Sequence, residues 1–164
     1  MPAESPAGAP TPVTPSTPPS LPPRQPATIQ LDIIMTTASI AEQNKKTVLA
    51  FYKEAHFDGD VDGAIARYVG DTYTQHTAGA EDGVEGLRAF INGFLAAFPN
   101  AKGDIRRVLA DGDLVAVHAH WTGLVSENGD VGIDMFRVEN GKLVEHWDVF
   151  APVPATSRNG NTVY

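Results

Sequence analysis

Residues 114–150 read LVAVHAHWTGLVSENGDVGIDMFRVENGKLVEHWDVF, and this stretch decides the fold. Three strand-like runs are joined by two Asn-Gly pairs, the strongest short-range hairpin signal. The stretch holds three of the five histidines, both tryptophans and one carboxylate, Asp134, inside an otherwise strand-like run. A two-residue turn at Asn140-Gly141 pairs Glu139 with Lys142. An uninterrupted count back from that turn sets Asp134 opposite Trp147 and Phe136 opposite Glu145. Asp134, Phe136, Leu143 and Trp147 then share one face, and His146 and Asp148 fall on the other. The Asn128-Gly129 turn leaves two registers open. A two-residue loop puts His118 and His120 on the face away from Asp134; a three-residue Glu-Asn-Gly loop puts them on its face.

Outward from this core, residues 105–110 read as a further strand ended by the Asp111-Gly112-Asp113 turn. Upstream, Leu87, Phe90, Ile91, Phe94, Leu95 and Phe98 recur at helical spacing behind a cap at Asp82, and Pro99 closes the run. Thr72 to His76 is a short β-prone segment. Asp60 caps a short helix through Tyr68. From Ala38, the residues Ile40, Val48, Phe51, Tyr52 and Ala55 mark one face of a helix that Gly59 stops, and His56 near its C-terminus reads as a favourable dipole contact. Helices segregated from strands give an α+β class: an antiparallel sheet covered on one face by about three N-terminal helices. In residues 114–124 both faces are largely apolar. One is expected to meet the helices and the other a second subunit, which predicts a homodimer.

The chain has 164 residues, and ten of its 13 prolines lie between Pro2 and Pro26. That composition offers little apolar surface to offset ordering entropy, so residues 1–34 read as a disordered leader, dispensable up to Met35. Residues 27–34 are an apolar patch without a clear period, either a stray strand or part of the leader. The domain is placed at 38–150 and an extended tail at 151–164. With no cysteine there is no disulfide or thiolate chemistry. The net charge of −8 without a basic cluster argues against nucleic acid and anionic membranes. No apolar run is long enough to span a bilayer, and no basic segment followed by an apolar one marks a signal peptide, so a cytoplasmic location is expected.

The runs YTQHTAGAEDGVEGLRAF, LADGDLVAVHAH and IDMFRVENGKLVEHWDV resemble the SnoaL-like polyketide cyclases. That family belongs with nuclear transport factor two, ketosteroid isomerase, scytalone dehydratase and limonene epoxide hydrolase. The resemblance spans about residues 40–164. It implies a cone-shaped α+β fold with a strongly curved sheet around a pocket, no cofactor and no metal, and a small apolar or polyketide-like ligand. It also implies an aspartate acting as base on an acidic C–H, a description that Asp134, fourteen residues after His120, fits. Relatives often read Gln-His-Asn-Pro after the first strand, where this chain has Gln75-His76-Thr77-Ala78.

The expected catalytic set is therefore Asp134, His120 and His118. Burial is expected to raise the Asp134 carboxyl toward neutrality, which suits a base for carbon acids; the competing role is a salt bridge to Arg137 or Arg107. Ketosteroid isomerase uses an aspartate in the same way. His118 and His120 share a face, so they polarise a carbonyl, orient the base, start a metal site that lacks a third ligand, or face a partner subunit. His76 and Tyr73 are expected in the substrate site, with Trp121, Trp147, Phe94 and Phe98 as its walls. The reaction expected is aldol cyclisation, isomerisation or dehydration of an apolar carbonyl compound. The alternative is a non-catalytic dimeric ligand-binding or scaffold module. Epoxide hydrolysis ranks last, because Arg137 and Asp148 count to the wrong face from Asp134.

Overall fold

The computed structural model describes the backbone of residues 27–164 and the side chains of residues 36–164. The chain runs α1 (Ala27–Tyr52), a π-helical turn (Lys53–Phe57), α2 (Val61–Tyr68), β1 (Val69–Gln75), α3 (Gly83–Ala97), β2 (Lys102–Asp111), β3 (Leu114–Thr122), β4 (Asp130–Glu139) and β5 (Lys142–Pro152). The α+β class holds, with three α-helices and a five-stranded sheet among the described residues. Residues 27–34, expected as a stray strand or leader, are helical and extend α1 upstream of Ala38. The rest of the expected leader, residues 1–26, lies outside the described residues.

The sheet order is β1-β5-β4-β3-β2, and the sheet is open, with β1 and β2 at its edges. Four strands form the expected antiparallel meander. The fifth, β1, runs parallel to β5, so the sheet is mixed rather than purely antiparallel. Sequence distance explains the difference: β1 is separated from the meander by α3, so no hairpin dictates its direction.

Local chemistry sets the helix ends. The Asp60 side chain accepts from the Gly63 N–H at 3.1 Å and caps α2. Gly59 takes a φ of 75°, which stops the preceding helix. The core lies between the helices and the inner sheet face. Val48, Phe51, Tyr52 and Ala55 from the α1 side pack with Leu87 and Ile91 of α3 against Val115, Val117, Ala119 and Trp121 of β3 and Phe136 and Val138 of β4. Ile40, expected on the buried face of α1, is 47% exposed; it lies one turn before Asn44, whose side chain donates to the Gly112 carbonyl in the turn that ends β2.

The Asn140-Gly141 hairpin forms as read, with Glu139 paired to Lys142 and both turn residues at positive φ. One residue later the count breaks. Val138 pairs with Leu143, but Arg137 pairs with Glu145, so Val144 is an extra residue and β5 carries a bulge. A Cβ on Gly70 would meet the Val144 side chain at 2.9 Å, so the bare glycine in β1 makes room for the bulged residue.

Gly141 has a φ of 75°, and a methyl group there would meet nothing within 4 Å, so an alanine brings only backbone strain. Gly141→Ala is expected to cost about 1 kcal/mol, read as a lower urea midpoint with unchanged m-value. Gly79→Ala, also in open space but without a positive φ, is the matched control and should leave the midpoint in place.

Candidate active site

A cavity of about 170 Å³ opens between the helices and the inner sheet face. Asp134 lines it and is 6% exposed. Tyr52 donates its hydroxyl to Asp134 Oδ2 at 2.5 Å. His146 Nε2 lies 3.2 Å from Asp134 Oδ1. The carboxylate is thus held from two sides, by the end of α1 and by the neighbouring strand. Asp148, the register partner of Asp134, lines the same cavity.

The bulge at Val144 makes this cluster. It pairs Phe136 with His146, Asp134 with Asp148, and Met135 with Trp147. The uninterrupted count is therefore corrected by one residue. His146 and Asp148 turn inward beside Asp134, and Trp147 turns to the outer face.

The proton inventory follows from Gln75. Its Oε1 accepts from the Thr77 backbone N–H at 3.1 Å, which assigns the orientation of the amide. The same oxygen lies 2.9 Å from His146 Nδ1, so His146 donates from Nδ1. His146 Nε2 then carries a second proton beside a carboxylate, or accepts the proton of a neutral Asp134 acid. Either way, one proton sits between Asp134 Oδ1 and His146 Nε2.

Burial holds the neighbouring phenols protonated. It pushes Tyr52 well above its ordinary range, and the charge on Asp134 adds to the shift. Burial raises Tyr73 as well, with the Asp134 and Asp148 charges contributing. His56 comes from the π-helical turn and stacks on Tyr52 with ring centroids 4.8 Å apart. Burial lowers it to about 4, partly opposed by Asp134, so its ring is neutral at pH 7. Such turns recur at functional sites; here the turn places His56 in the cavity wall rather than at a simple dipole contact.

A model of SnoaL-like polyketide cyclases matches residues 46–155, more than half of the chain. The chain belongs to the SnoaL-like polyketide cyclase family. Among solved structures, it is similar to Bal32a from a soil-derived mobile gene cassette (21% identity, TM-score 0.58, covering 67% of this chain and 90% of that one). It is also similar to a loop-truncation variant of IdmH (25% identity, TM-score 0.56, 65% and 91% covered), whose wild type comes from Streptomyces antibioticus. A third is a candidate polyketide cyclase from Bacillus cereus ATCC 10987 (26% identity, TM-score 0.55, 63% and 71% covered). No curated protein matches.

On this SnoaL-like fold the residues singled out from sequence divide. Asp134, Tyr73, Trp121 and Phe94 line the cavity. His118 and His120 do not converge with Asp134. The closing pairs of β3 and β4 put Val117 opposite Asp134, so both histidines project from the outer face. The connecting loop is longer than either two or three residues, since Trp121 already pairs with Asp130, but its parity gives the outward result. His118 Nδ1 lies 3.0 Å from Arg107 Nη1. His120 lies 3.0 Å from the Asn128 carbonyl and stacks on Tyr164. His76 stacks on Trp147 and meets Glu145 at 3.0 Å; neither ring lines the cavity. Phe98 packs beside Phe94 and lines a separate groove on α3.

Sequence reasoning misses Tyr52, His56, Gln75, His146 and Asp148 as site residues. Tyr52 carries only a core signal, and the bulge hides His146 and Asp148. Neither expected salt bridge to Asp134 forms: Arg137 binds Glu145 and Glu139, and Arg107 faces His118. Among the described residues no arginine or lysine lines the cavity. Among the same residues no group of three or more potential ligands is arranged to hold a metal ion, and no helix is long and apolar enough to cross a membrane.

Because His56 is lowered to about 4 in the fold, the unfolded chain binds more protons between that value and its ordinary pKa near 6.5. Stability therefore falls as pH drops through this window, by about 3 kcal/mol from this group. Urea titrations from pH 7 to pH 4 should show that slope, and His56→Phe should flatten it.

Proposed function

We propose that the protein is a cofactor-independent acid–base catalyst acting on an uncharged, carbonyl-bearing small molecule, by cyclisation, isomerisation or dehydration. The observation that carries this reading is Asp134 in the cavity wall, held by the Tyr52 hydroxyl and the His146 ring. Asp134 is the base in the form where His146 holds two protons. It removes a proton from carbon next to the substrate carbonyl, and an O–H bond forms as the C–H bond breaks. The electron pair passes to the carbonyl oxygen as an enolate. In an aldol closure the enolate carbon attacks a second carbonyl and the new alkoxide takes the proton back from Asp134; in an isomerisation a different carbon takes it. The proton count is restored in both. His146 balances charge during the step, and Tyr52, a neutral phenol, orients the carboxylate.

The lack of an arginine in the described cavity lining disfavours the epoxide-opening arrangement, although Asp148 does share the face of Asp134. A generic ketone tests the proposal without the natural substrate. The protein should accelerate exchange of the α-hydrogens of 1-tetralone in deuterium oxide, followed by NMR. Asp134→Asn should lower that rate by about 10²–10⁴-fold, the usual range for a general base. Exchange by the variant at the wild-type rate would remove Asp134 from the mechanism.

We also propose a homodimer through the outer sheet face. Leu109, Ala116, Met135 and Trp147 form one register row across four strands, and the adjacent row adds Ile133 and Val149. Leu109 is 69% exposed and Val149 72%, so an apolar strip faces outward. Light scattering should give a dimer mass for the wild type and a monomer mass for Val149→Lys. A monomeric wild type would dismiss the proposal.

A further inference from the structure

Among the described residues, four buried side-chain polar atoms lack a well-formed hydrogen bond: Tyr73 Oη and Gln75 Nε2, together with His56 Nδ1 and Trp121 Nε1, whose nearest polar neighbours belong to Tyr52. All four belong to residues that line the same cavity. Folded proteins satisfy the great majority of such groups, because each orphan costs stability. Scattered orphans would be unremarkable packing faults. Four around one cavity mark groups that whatever fills the cavity, solvent or ligand, must satisfy.

Three of the four have a proton to donate. Trp121 Nε1 only donates. Gln75 Nε2 only donates, because Oε1 on the same amide is committed to Thr77 and His146. The Tyr73 hydroxyl keeps its proton through burial. The lining supplies its own acceptors in the carboxyl groups of Asp134 and Asp148, and no lysine or arginine accompanies them among the described residues. A ligand bearing a carboxylate or phosphate would face Asp148 and the Asp134–His146 pair with no lysine or arginine to receive its charge. The remaining wall is apolar and ring-rich, with Phe51, Phe94, Phe136 and Phe150 among its members.

We propose that Tyr73, Gln75 and Trp121 form a donor rim that recognises the acceptor oxygens of an uncharged aromatic ketone and discriminates against its hydrocarbon and carboxylate analogues. This rests on the cavity being the substrate site of the proposed carbon-acid chemistry, and it names the atoms that read the substrate there. Gln75 serves twice. Its oxygen sets the His146 tautomer, and its nitrogen meets the ligand, so an acceptor bound at Nε2 braces the Asp134–His146 pair.

Chromone, naphthalene and 1-naphthoate are the probes, titrated into the full chain and followed by the Trp121 indole N–H resonance and by affinity. Chromone is expected to bind with that resonance moved downfield. Naphthalene should bind about tenfold more weakly, the equivalent of one lost neutral hydrogen bond, without the downfield move, and 1-naphthoate should not bind. Tyr73→Phe removes only the orphan hydroxyl. It should leave the unliganded chain as stable as the wild type or more so, weaken chromone severalfold to about tenfold, and leave naphthalene unchanged. Equal binding of chromone and naphthalene to the wild type would overturn the proposal. So would a Tyr73→Phe chain that is destabilised yet keeps the discrimination, since the hydroxyl would then be structural. The 1-tetralone exchange assay separates the two readings. Asp134-dependent exchange without discrimination removes the rim and keeps the base; discrimination without exchange does the reverse.

Discussion

One extra residue in β5 governs the chemistry of this protein. Side chains alternate across a strand with period two, so a bulge of one residue exchanges the two faces for everything beyond it. Val144 is that residue. Downstream of it His146 and Asp148 point into the cavity beside Asp134, while Trp147 points out to stack on His76. The bulge is accommodated on its other side by Gly70, whose missing side chain leaves space for Val144. The parallel pairing of β1 with β5 then sets Gln75 beside His146, so the edge strand completes the cluster that the bulge begins.

The cavity is polar where stability would favour apolar packing. Tyr52, Asp134 and His146 sit almost fully buried and satisfy one another. Such a network is tolerable when each member is paired, and costly where it is not. The unpaired atoms concentrate on the same lining. Breaks in local consistency of this kind are expected at sites that were selected for binding rather than for stability. The neutral His56 ring fits the same pattern, a titratable group placed where its charged form is disfavoured.

The outer face has a different character. A second bulge, at Arg106 in β2, interrupts the pairing with β3. Arg106 places its guanidinium 4.9 Å from the centre of the Tyr164 ring, whose other ring contact is the stacked His120. The two histidines that stand out most in the strand pattern thus pack against the tail and against Arg107. Among the described residues no element covers the apolar strip between these features, in contrast to the inner face under its helices.

The elements themselves are legible in the chain. Helical spacing in residues 87–98, the caps at Asp60 and Gly59, and the Asn140-Gly141 turn are local signals, carried by residues close together in sequence. Asp134 is legible too, because a carboxylate inside an apolar strand stands out without any knowledge of its neighbours. Which histidine joins that carboxylate is not. The choice between His118, His120 and His146 rests on strand parity, and parity is set by a bulge and a loop length that lack a residue signature of their own. The direction of β1 and the meeting of Tyr52 with Asp134, 82 residues apart, likewise depend on packing between distant segments. These features belong to the assembled fold because the free energy that selects a face is gained only when the sheet closes against the helices.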